Sequence, residues 1–400
     1  MKAPAAESYG FDPRNPDFLA NPYPVYRALR LGSRPCWSSG AERWLVADHA
    51  ECSRLLRSTA LVRQFANREP QDRWGAFNWL NADGILDIEG TRHHQLRRWL
   101  SPAFTRSSLA TIEDLVGAAC DAVMGRALER AGASGQVDLV SDVFEPLPAV
   151  VICQLLGIDE DLGPSFREWS IAFVHMFEYA TSEDDQRAGI AAANALAETM
   201  GRLLDAGHAR PGSLITELDR LRASGDITDR EAVANAVLLF NGGTGAVVNA
   251  LGNGFAELLK RPDQLAEASR AANAEGIVEE FLRYEAPLQA FERVATRDLA
   301  IGDAVVRQGE RVTLLLGSAN RDEAAFPEPD VFDVGRPPGP TLTFGAGTHF
   351  CLGAPLARLE MQALIPRLLT AMPDLELAAE PVPDLSFVVR GYSSIPVHVG

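Results

Sequence analysis

The chain has 400 residues, of which 46% are hydrophobic and 23% are charged, a balance typical of a globular protein with a substantial core. Its formal net charge of −17 argues against nucleic acid or an anionic membrane surface as a partner, because both would repel it. The five cysteines are scattered without a CxxC pair, so neither a disulfide framework nor a structural metal site is expected. The sequence shows no signal-like apolar segment and no membrane span, and we expect a cytoplasmic protein.

Helical periodicity dominates residues 49–285, where apolar residues return at the spacing of amphipathic helices. Together with one short helix ahead of this region, the predicted helices are Tyr23–Leu31, Thr91–Leu100, Ser107–Arg130, Phe144–Leu156, Asp185–Ala206 and Asp229–Lys260. The last of these starts where Asp229 and Glu231 precede an apolar run, and it ends before Pro262. At about 1.5 Å per residue it would be roughly 45 Å long.

The character of the sequence changes near residue 290. The elements predicted from there on are strands at Arg293–Thr296, Val305–Val306 and Arg311–Leu316, a helix at Pro355–Ala371, and short strands near Leu385–Val399. Helices early and strands late predict an α+β protein that is mostly α. Because no repeat or flexible linker is visible, residues 1–400 are expected to form one domain, helix-rich over 49–285 and β-containing over 286–400.

One cysteine lies in a glycine-rich loop directly before a predicted helix. The segment 344–353 reads FGAGTHFCLG, and its cysteine is Cys351. Glycines allow close approach of the backbone, and a helix N-terminus stabilises the negative charge of a thiolate. A buried thiolate also needs a positive partner, which ferric haem iron can supply. Cys351 is therefore a candidate haem ligand, whereas the other four cysteines are expected to be inert core thiols.

This loop resembles that of the cytochrome P-450 family in its soluble bacterial form. The family pattern FGxGxHxCxG is met at Phe344, Gly345, Gly347, His349, Cys351 and Gly353. Glu280 and Arg283 match the family's ExxR pair, which alone would be weak because such a pair is usually a solvated surface ion pair. The segment 326–336 resembles the family's FxxPxxFxxxR, and the likeness runs from Asp12 to the final strands.

The resemblance implies the family's triangular prism of helices with small β-sheets, with haem b between the long central helix and the Cys351 loop. It implies that Cys351 ligates the iron and that Glu280, Arg283 and Arg336 are structural residues that hold this loop. The implied haem-contacting residues are His93, Arg97, Arg293, His349, Phe344, Gly345 and Gly353, the first four through the propionates. Without the cysteine motif, His93 and Arg97, which lie four residues apart, would be interpreted as part of an exposed helix face.

The proposed thiolate ligand has a mechanistic purpose, because it donates electron density to the iron and favours cleavage of the O–O bond. The resemblance therefore implies a monooxygenase or oxidase of bacterial secondary metabolism. No flavin or iron–sulfur motif appears, so a ferredoxin and its reductase are expected to supply electrons. We also expect O2 as co-substrate, a monomer in solution, and neither a nucleic-acid nor a membrane partner.

The predicted central helix departs from the family pattern at the candidate catalytic positions Thr244, Gly245 and Ala246. Most members have an acid followed by threonine where this chain has Gly245 and Ala246, and that pair helps to relay protons for O–O cleavage. Thr244 could supply a hydroxyl, but residues two apart on a helix point in different directions, so a structural or pocket-lining role is favoured. Three explanations stay open: a substrate hydroxyl with ordered water replaces the threonine, the reaction is an atypical oxidation such as oxidative coupling or ring formation, or the enzyme uses peroxide.

Aromatic residues ahead of His93 and around residues 166–190 are expected to line the substrate side. The predicted pocket residues are Phe77, Trp79, Phe173, Phe177, Leu288, Gln289 and Ser393. Such a pocket suits a hydrophobic or aromatic substrate, although any single aromatic residue is more commonly core packing. The rival hypothesis is a haem-binding sensor or scaffold protein without turnover, which the departure at Gly245 and Ala246 favours and the aromatic pocket disfavours.

Overall fold

The computed structural model describes residues 5–32, 35–207, 210–271 and 274–399. Helices make up most of it. They are α1 (Pro16–Ala20), α2 (Tyr23–Leu31), α3 (His49–Leu56), α4 (Gln71–Ala82), α5 (Gly90–Leu100), α6 (Arg106–Ala110), α7 (Glu113–Ala131), α8 (Pro146–Leu156), α9 (Gly163–His175), α10 (Glu183–Ala206), α11 (Leu214–Ala223), α12 (Asp229–Leu259), α13 (Pro262–Arg270), α14 (Glu275–Tyr284), α15 (Leu316–Ala319) and α16 (Ala354–Ala371).

The strands form small, separate sheets at the edge of the helical part. They are β1 (Cys36–Ser38), β2 (Arg43–Val46), β3 (Leu61–Val62), β4 (Gln136–Asp138), β5 (Ala290–Ala295), β6 (Leu299–Ile301), β7 (Ala304–Val306), β8 (Arg311–Leu315), β9 (Glu376–Leu377), β10 (Val382–Asp384), β11 (Gly391–Ser394) and β12 (Pro396–His398). The largest sheet has the order β1-β2-β8-β5-β3, in which β2 and β8 are parallel and the other neighbours are antiparallel. The smaller sheets are β4-β12-β9, β10-β11 and β6-β7.

The mostly α fold is confirmed, and so is the long central helix. Helix α12 starts at a capping box: the Thr228 hydroxyl accepts from the Glu231 N–H at 3.1 Å, and the Glu231 carboxylate accepts from the Thr228 N–H at 2.8 Å. The predicted α2 has the bounds found in the structure, and the predictions for α5, α10 and α16 differ from it by at most two residues.

Two helix predictions were wrong in part. The segment Ser107–Arg130 is two helices, because Thr111 donates its hydroxyl to the Ser108 carbonyl and Ile112 leaves the helical conformation at ψ 3°. The segment Phe144–Leu156 begins as a π-helical turn, Val140–Phe144, and continues as α8 with Pro146 at its first position. The strands β1 and β2 were not predicted. They pair with each other, and β2 joins the sheet through β8, which lies some 270 residues away in sequence.

Helix α12 lies in the middle of the helical layer and packs against α4, α8, α9, α10, α14 and α16. Close approach to α14 requires a glycine, because a Cβ atom on Gly254 would lie 1.8 Å from Cδ2 of Phe281. Among the described residues α12 is the one helix long and apolar enough to cross a membrane. Its apolar side chains are buried against these neighbours, as expected of a core helix.

Candidate active site

The loop that holds Cys351 is shaped by its glycines. Gly345 and Gly347 have φ angles of +69° and +71°, a region that other residues rarely adopt. A Cβ atom on Gly347 would also lie 2.8 Å from the carbonyl oxygen of Leu56, so the loop packs directly on the end of α3. The Cys351 N–H donates to the Phe344 carbonyl at 2.9 Å, which closes the loop immediately before α16.

Burial and positive charge act on the pKa of the Cys351 thiol in opposite directions. Burial raises the pKa of the thiol, while hydrogen bonds from the backbone N–H groups of Gly353 and Ala354 and the charges of Arg97 and Arg358 lower it. Burial is the largest of these effects, so the sulfur by itself favours the protonated form. A metal cation in contact with the sulfur would reverse that preference, because thiolate rather than thiol binds metals.

A buried ion pair lies between α14 and the segment ahead of the cysteine loop. Glu280 and Arg283 are each 1% exposed and make two contacts of 2.7 Å, Nε to Oε2 and Nη2 to Oε1. Arg336 Nε lies 3.3 Å from Glu280 Oε2. The remaining guanidinium donors of Arg283 bind the backbone carbonyls at residues 320, 329 and 331. Such satisfied geometry is what a buried charge pair requires.

Two residues that the sequence did not single out connect this pair to the cysteine loop. Asn320 donates to the Thr343 hydroxyl at 2.7 Å and accepts from the Leu342 N–H at 2.8 Å. Thr343 in turn donates to the carbonyl of Leu282 at 2.6 Å, directly beside Arg283. All of these atoms are buried, so α14 and the start of the cysteine loop are held in register by hydrogen bonds. No sequence motif marks Asn320 or Thr343.

Three of the four predicted propionate residues lie near one another. The rings of His93, on α5, and His349 have centroids 4.5 Å apart, and Arg97 donates to the Phe350 carbonyl at 2.8 Å. His93 is 1% exposed, and its Nδ1 has no hydrogen-bond partner among the described residues. Burial, followed by the charges of His349 and Arg97, lowers the pKa of His93 to about 4. His93 is therefore a neutral ring with a free polar atom.

The fourth, Arg293 on β5, is a buried cation. It is 3% exposed and donates to the backbone carbonyl of Glu292 at 2.8 Å. Within the described part of the chain no carboxylate lies at ion-pair distance from it. Burial, and then the charge of Arg63, lowers the pKa of Arg293 to about 9. An anionic group beside Arg293 would remove this cost.

Two charged residues beside this cluster were missed. Glu89, which precedes α5, accepts from His349 Nε2 at 2.9 Å and from the Arg63 N–H at 2.6 Å. The Arg63 side chain pairs with Asp87 at 3.0 Å. Neither residue belongs to a motif, and only the fold brings Glu89 into contact with His349 and Arg63 into contact with Glu89.

One face of α12 is left uncovered by protein. A Cβ atom on Gly242 or Gly245 would meet no atom within 4 Å. We call these two positions the glycine face. Ahead of it, Leu238 lies against Gly84; beyond it, the side chain of Asn249 lies against Gly391 of β11. The glycine face is therefore a gap between two contacted stretches of the same helix.

The structure places Thr244 away from this gap. It is 2% exposed, and its hydroxyl donates to the Phe240 carbonyl at 3.2 Å, one turn back in the same helix. This favours the structural role over a catalytic one. Neither Gly245, on the glycine face, nor Ala246, next in the chain, carries a group that can hold or move a proton.

The predicted pocket residues are only partly brought together. Phe77, Phe173 and Phe177 form one aromatic cluster, with centroids 4.8 Å apart for the first pair and 5.8 Å apart for Phe77 and Phe177. Trp79 lies elsewhere, beneath the Arg230 guanidinium at 5.1 Å near the start of α12. Leu288 is half-buried and pairs through its backbone with Val389.

Two pocket predictions need correction. Gln289 is fully buried, its amide donates to the Ala286 carbonyl at 2.8 Å, and it packs against Gly317, so it fills the core between α2 and α15. Ser393 is exposed, with its hydroxyl 3.3 Å from the Val382 carbonyl of the β10–β11 hairpin. Both positions depend on local strand and turn geometry that the sequence does not reveal.

These residues fit a haem group. A propionate-bearing cofactor would supply the anions that Arg293 lacks and a partner for the free His93 nitrogen, and its iron would supply the cation that the Cys351 sulfur requires. Haem iron ligated by a cysteine thiolate supplies oxygen-activating chemistry.

The comparisons with known proteins agree with this geometry. The family model described as Cytochrome P450 matches residues 274–372. The chain is 32% identical over 395 residues to the cytochrome P450 monooxygenase PikC of Streptomyces venezuelae, across 95% of this chain and 92% of that protein. It is similar to the structure of P450BioI in complex with an acyl carrier protein ligated to hexadec-9Z-enoic acid, with TM-score 0.88, 31% identity, and coverage of 96% of this chain and 99% of that one. A second structure, CxnD for C–S bond formation in chuangxinmycin biosynthesis, has TM-score 0.87, 27% identity, and coverage of 100% and 98%.

The fold and the site together define a haem-dependent oxidoreductase. The chain belongs to the cytochrome P450 family, and its activity is of the P450 monooxygenase type with haem b as cofactor. Like the family in general, it acts on hydrophobic substrates with O2 and a redox partner.

Proposed function

We propose that this P450 oxidises a hydrophobic or aromatic small molecule in bacterial secondary metabolism, in the cytoplasm, with electrons from a ferredoxin and its reductase. The proposed oxidation is atypical, because the distal helix lacks a proton relay of its own. The observation that carries this is the glycine face of α12, together with a Thr244 hydroxyl that already donates within its own helix. The matches along nearly the full length of PikC and P450BioI support treating residues 1–400 as one domain.

The proposed roles on the proximal side follow the geometry. Cys351 ligates the iron, and the N–H groups of Gly353 and Ala354 hold charge on its sulfur. The propionate partners are His93, Arg97, Arg293 and His349, while the Glu280–Arg283–Arg336 network positions the loop and does not touch the reacting atoms. The Arg358 guanidinium lies 4.5 Å from the centroid of the Phe344 ring, and this ring is the proposed aromatic haem contact of the cysteine loop.

On the distal side the chain must obtain protons from another source. A carboxylic acid or hydroxyl at residues 245 and 246 would be able to relay them, but glycine and alanine cannot. A substrate hydroxyl with ordered water meets this need directly. An oxidative coupling or a ring formation would require proton delivery different from that of a hydroxylation. The similarity to CxnD, named for C–S bond formation, supports including this class. Peroxide as oxidant avoids the reductive step altogether.

The haem ligation is tested by a spectrum. The reduced, carbon monoxide-treated protein is expected to show the red-shifted Soret band of thiolate-ligated haem, and Cys351→Ala is expected to abolish it. Cys153→Ala is the matched control, because Cys153 is a fully buried thiol in α8 and its loss should leave the band in place. An imidazole-type spectrum in the unmodified protein would contradict the ligand assignment.

The proton source is tested by Ala246→Thr. If a substrate hydroxyl replaces the relay, this variant is expected to oxidise substrate analogues that lack the hydroxyl, which the unmodified enzyme should leave unchanged. Thr244→Val serves as control, since the Thr244 hydroxyl is engaged with the Phe240 carbonyl. Product with peroxide but none with ferredoxin and O2 would favour the peroxide alternative.

The match to P450 monooxygenases argues against a haem-binding sensor or scaffold without turnover, which the missing relay residues at Gly245 and Ala246 would favour. Electron transfer with no product from either O2 or peroxide, across a metabolite library, would support it. Any oxidised product that depends on Cys351 would exclude it.

A further inference from the structure

Helix α14 carries two consecutive buried acids, and they have different partners. Glu280 contacts Arg283 and Arg336. Glu279 contacts Arg358 of α16 instead: its Oε1 lies 2.5 Å from Nε of Arg358, and its Oε2 accepts from Nη2 at 3.2 Å. Glu279 is 8% exposed. The fold therefore holds a second carboxylate against α16, separate from the ion pair that positions the cysteine loop.

The guanidinium of Arg358 is held from two sides. Glu279 engages two of its nitrogens in a forked contact, and the ring of Phe344 faces its carbon atom at 4.5 Å from the ring centroid. A planar guanidinium suits both contacts, because it donates through a fork and stacks on an aromatic face. Although the Arg358 side chain is 31% exposed, it therefore has a defined position beside the cysteine loop.

Arg358 lies one turn along α16 from the end of this helix that faces the sulfur. The N–H of Ala354, the first residue of α16, donates to the Cys351 sulfur. Arg358 follows four residues later, about 40° around the axis and about 6 Å along it. Helical side chains lean toward the N-terminus, so Arg358 reaches back along this face toward the sulfur. In agreement with this placement, its charge lowers the pKa of Cys351.

We propose that Arg358 is a positioning residue that sets the reduction potential of the haem through the Cys351 sulfur. Its positive charge, held in place by Glu279 and Phe344, reduces electron donation by the thiolate. Reduction also adds a negative charge to the site, which a nearby cation stabilises. The Glu279 carboxylate opposes the effect, so the pair gives a potential between those of a lone cation and a lone anion. The inference rests on the proposed function, in that Cys351 ligates the iron.

The test is a redox titration of the haem-loaded chain with small mediators. No electron-donor protein is present, so a role of Arg358 in binding such a protein has no influence. Arg358→Gln is expected to lower the equilibrium constant for reduction about threefold, which corresponds to about 30 mV for a one-electron couple. Arg358→Lys keeps the charge and is expected to restore most of the loss.

Glu279→Gln is expected to shift the potential in the opposite direction, upward by a similar factor. The amide oxygen still accepts a hydrogen bond from Arg358, but it no longer offsets the positive charge. A pair that served only to hold α14 against α16 would not give shifts of opposite sign, because either substitution weakens the same contact.

Arg367→Gln and Asp121→Asn are the matched controls. Arg367 lies nine residues further along α16 and pairs with Asp121, Nε to Oδ1 at 3.1 Å, with both side chains largely exposed. Nine residues extend about 13 Å along a helix, whereas salt screens exposed charges beyond about 8–10 Å. Neither control is expected to change the potential.

The outcomes separate the inference from the proposed function. Shifts of the same sign in Arg358→Gln and Glu279→Gln, or no shift in either, overturn the role of the pair; with the thiolate spectrum of the carbon monoxide complex intact, the proposed function stands. If Arg358→Gln fails to bind haem, Glu279→Gln still decides, because a potential that does not rise overturns the inference. Loss of the thiolate spectrum in the unmodified protein overturns the proposed function, and this inference with it.

Discussion

A single carboxyl group in the core of the molecule gives its stability a dependence on pH. Glu360, on α16, is 1% exposed, and its Oε2 has no hydrogen-bond partner among the described residues. Burial raises the pKa of Glu360 well above its usual value. The folded state therefore holds a proton that the unfolded chain has released, and the free energy of unfolding falls as the pH rises above the ordinary pKa of glutamate.

Glu360→Gln tests this dependence. The wild type is expected to lose stability relative to the variant by up to about 1.4 kcal/mol per pH unit, from about pH 4.5 upward until the folded-state pKa is reached. Glutamine keeps the shape of the protonated acid and cannot ionise, so its contribution is independent of pH. Denaturant unfolding at pH 5.5 and 8 measures the difference. The same pH profile in both proteins would show that Glu360 is not the group responsible.

At the residue scale, motif residues were predictable from the sequence and their partners were not. Glu280, Arg283 and Cys351 occur in patterns with a chemical reason for each residue type. Asn320 and Thr343 complete the same hydrogen-bonded network, but asparagine and threonine are common in loops and no spacing distinguishes them. Gln289 was wrongly predicted to line the pocket. The turn before β5 directs its side chain into the core instead.

At the scale of elements, the glycines of α12 divide into two kinds. Gly254 permits close packing, whereas Gly245 faces open space. Gly245→Ala is therefore expected to raise the free energy of unfolding by about 1 kcal/mol, because alanine is the better helix former and its methyl group meets no protein atom. Gly254→Ala is the matched contrast. Its methyl group would overlap the Phe281 ring, and a loss of about 1–3 kcal/mol or more is expected.

Urea unfolding of the two haem-loaded variants measures both effects. Destabilisation by Gly245→Ala would mean that atoms of the protein or of the bound haem occupy the space beside the glycine face. Equal effects of the two substitutions would remove the distinction between a packing glycine and an open one.

The elements that were predictable share local signals. The capping box of α12 and the apolar periodicity of α10 are contained within single segments. The break at Thr111 and Ile112 depends on one side-chain hydrogen bond that competes with the helix, and periodicity does not register it. The strands β1 and β2 are short, and the hairpin they form joins the sheet through the pairing of β2 with β8, a contact remote in sequence.

At the scale of the molecule, one carboxylate joins the helical half to the C-terminal segment. Glu178, just after α9, accepts hydrogen bonds from the consecutive N–H groups of Phe387, Val388 and Val389, at 2.9 to 3.0 Å. Next to it, Tyr179 contacts Phe387 edge to face, with ring centroids 5.1 Å apart. Hydrogen bonds to an ionised acceptor are about twice as strong as neutral ones, so this contact is a major link between parts of the chain some 210 residues apart.

Glu178→Gln is expected to weaken this link, because a neutral amide offers one acceptor oxygen in place of two charged ones. The amides of residues 387–389 should then exchange hydrogen about 10-fold faster, corresponding to a loss of about 1.4 kcal/mol of local stability. Glu183→Gln, which removes only an exposed ion pair with Arg73, is the control and should leave these amides unchanged. Unaltered exchange in Glu178→Gln would show that other contacts hold the C-terminal segment.

The distribution of the haem site along the chain has a consequence for its biogenesis. Its proposed parts are His93, Gly245, Arg293 and Cys351, which span nearly two thirds of the sequence. A ribosome adds roughly 5–20 residues per second, so α12 emerges well before the proposed iron ligand does. Arg283 of the Glu280–Arg283 pair likewise lacks hydrogen-bond acceptors until the carbonyls at residues 320, 329 and 331 have been synthesised. If the proposed ligand is right, haem binding is expected late in synthesis, because a nascent chain that stalls before residue 351 lacks the cysteine that would hold the iron.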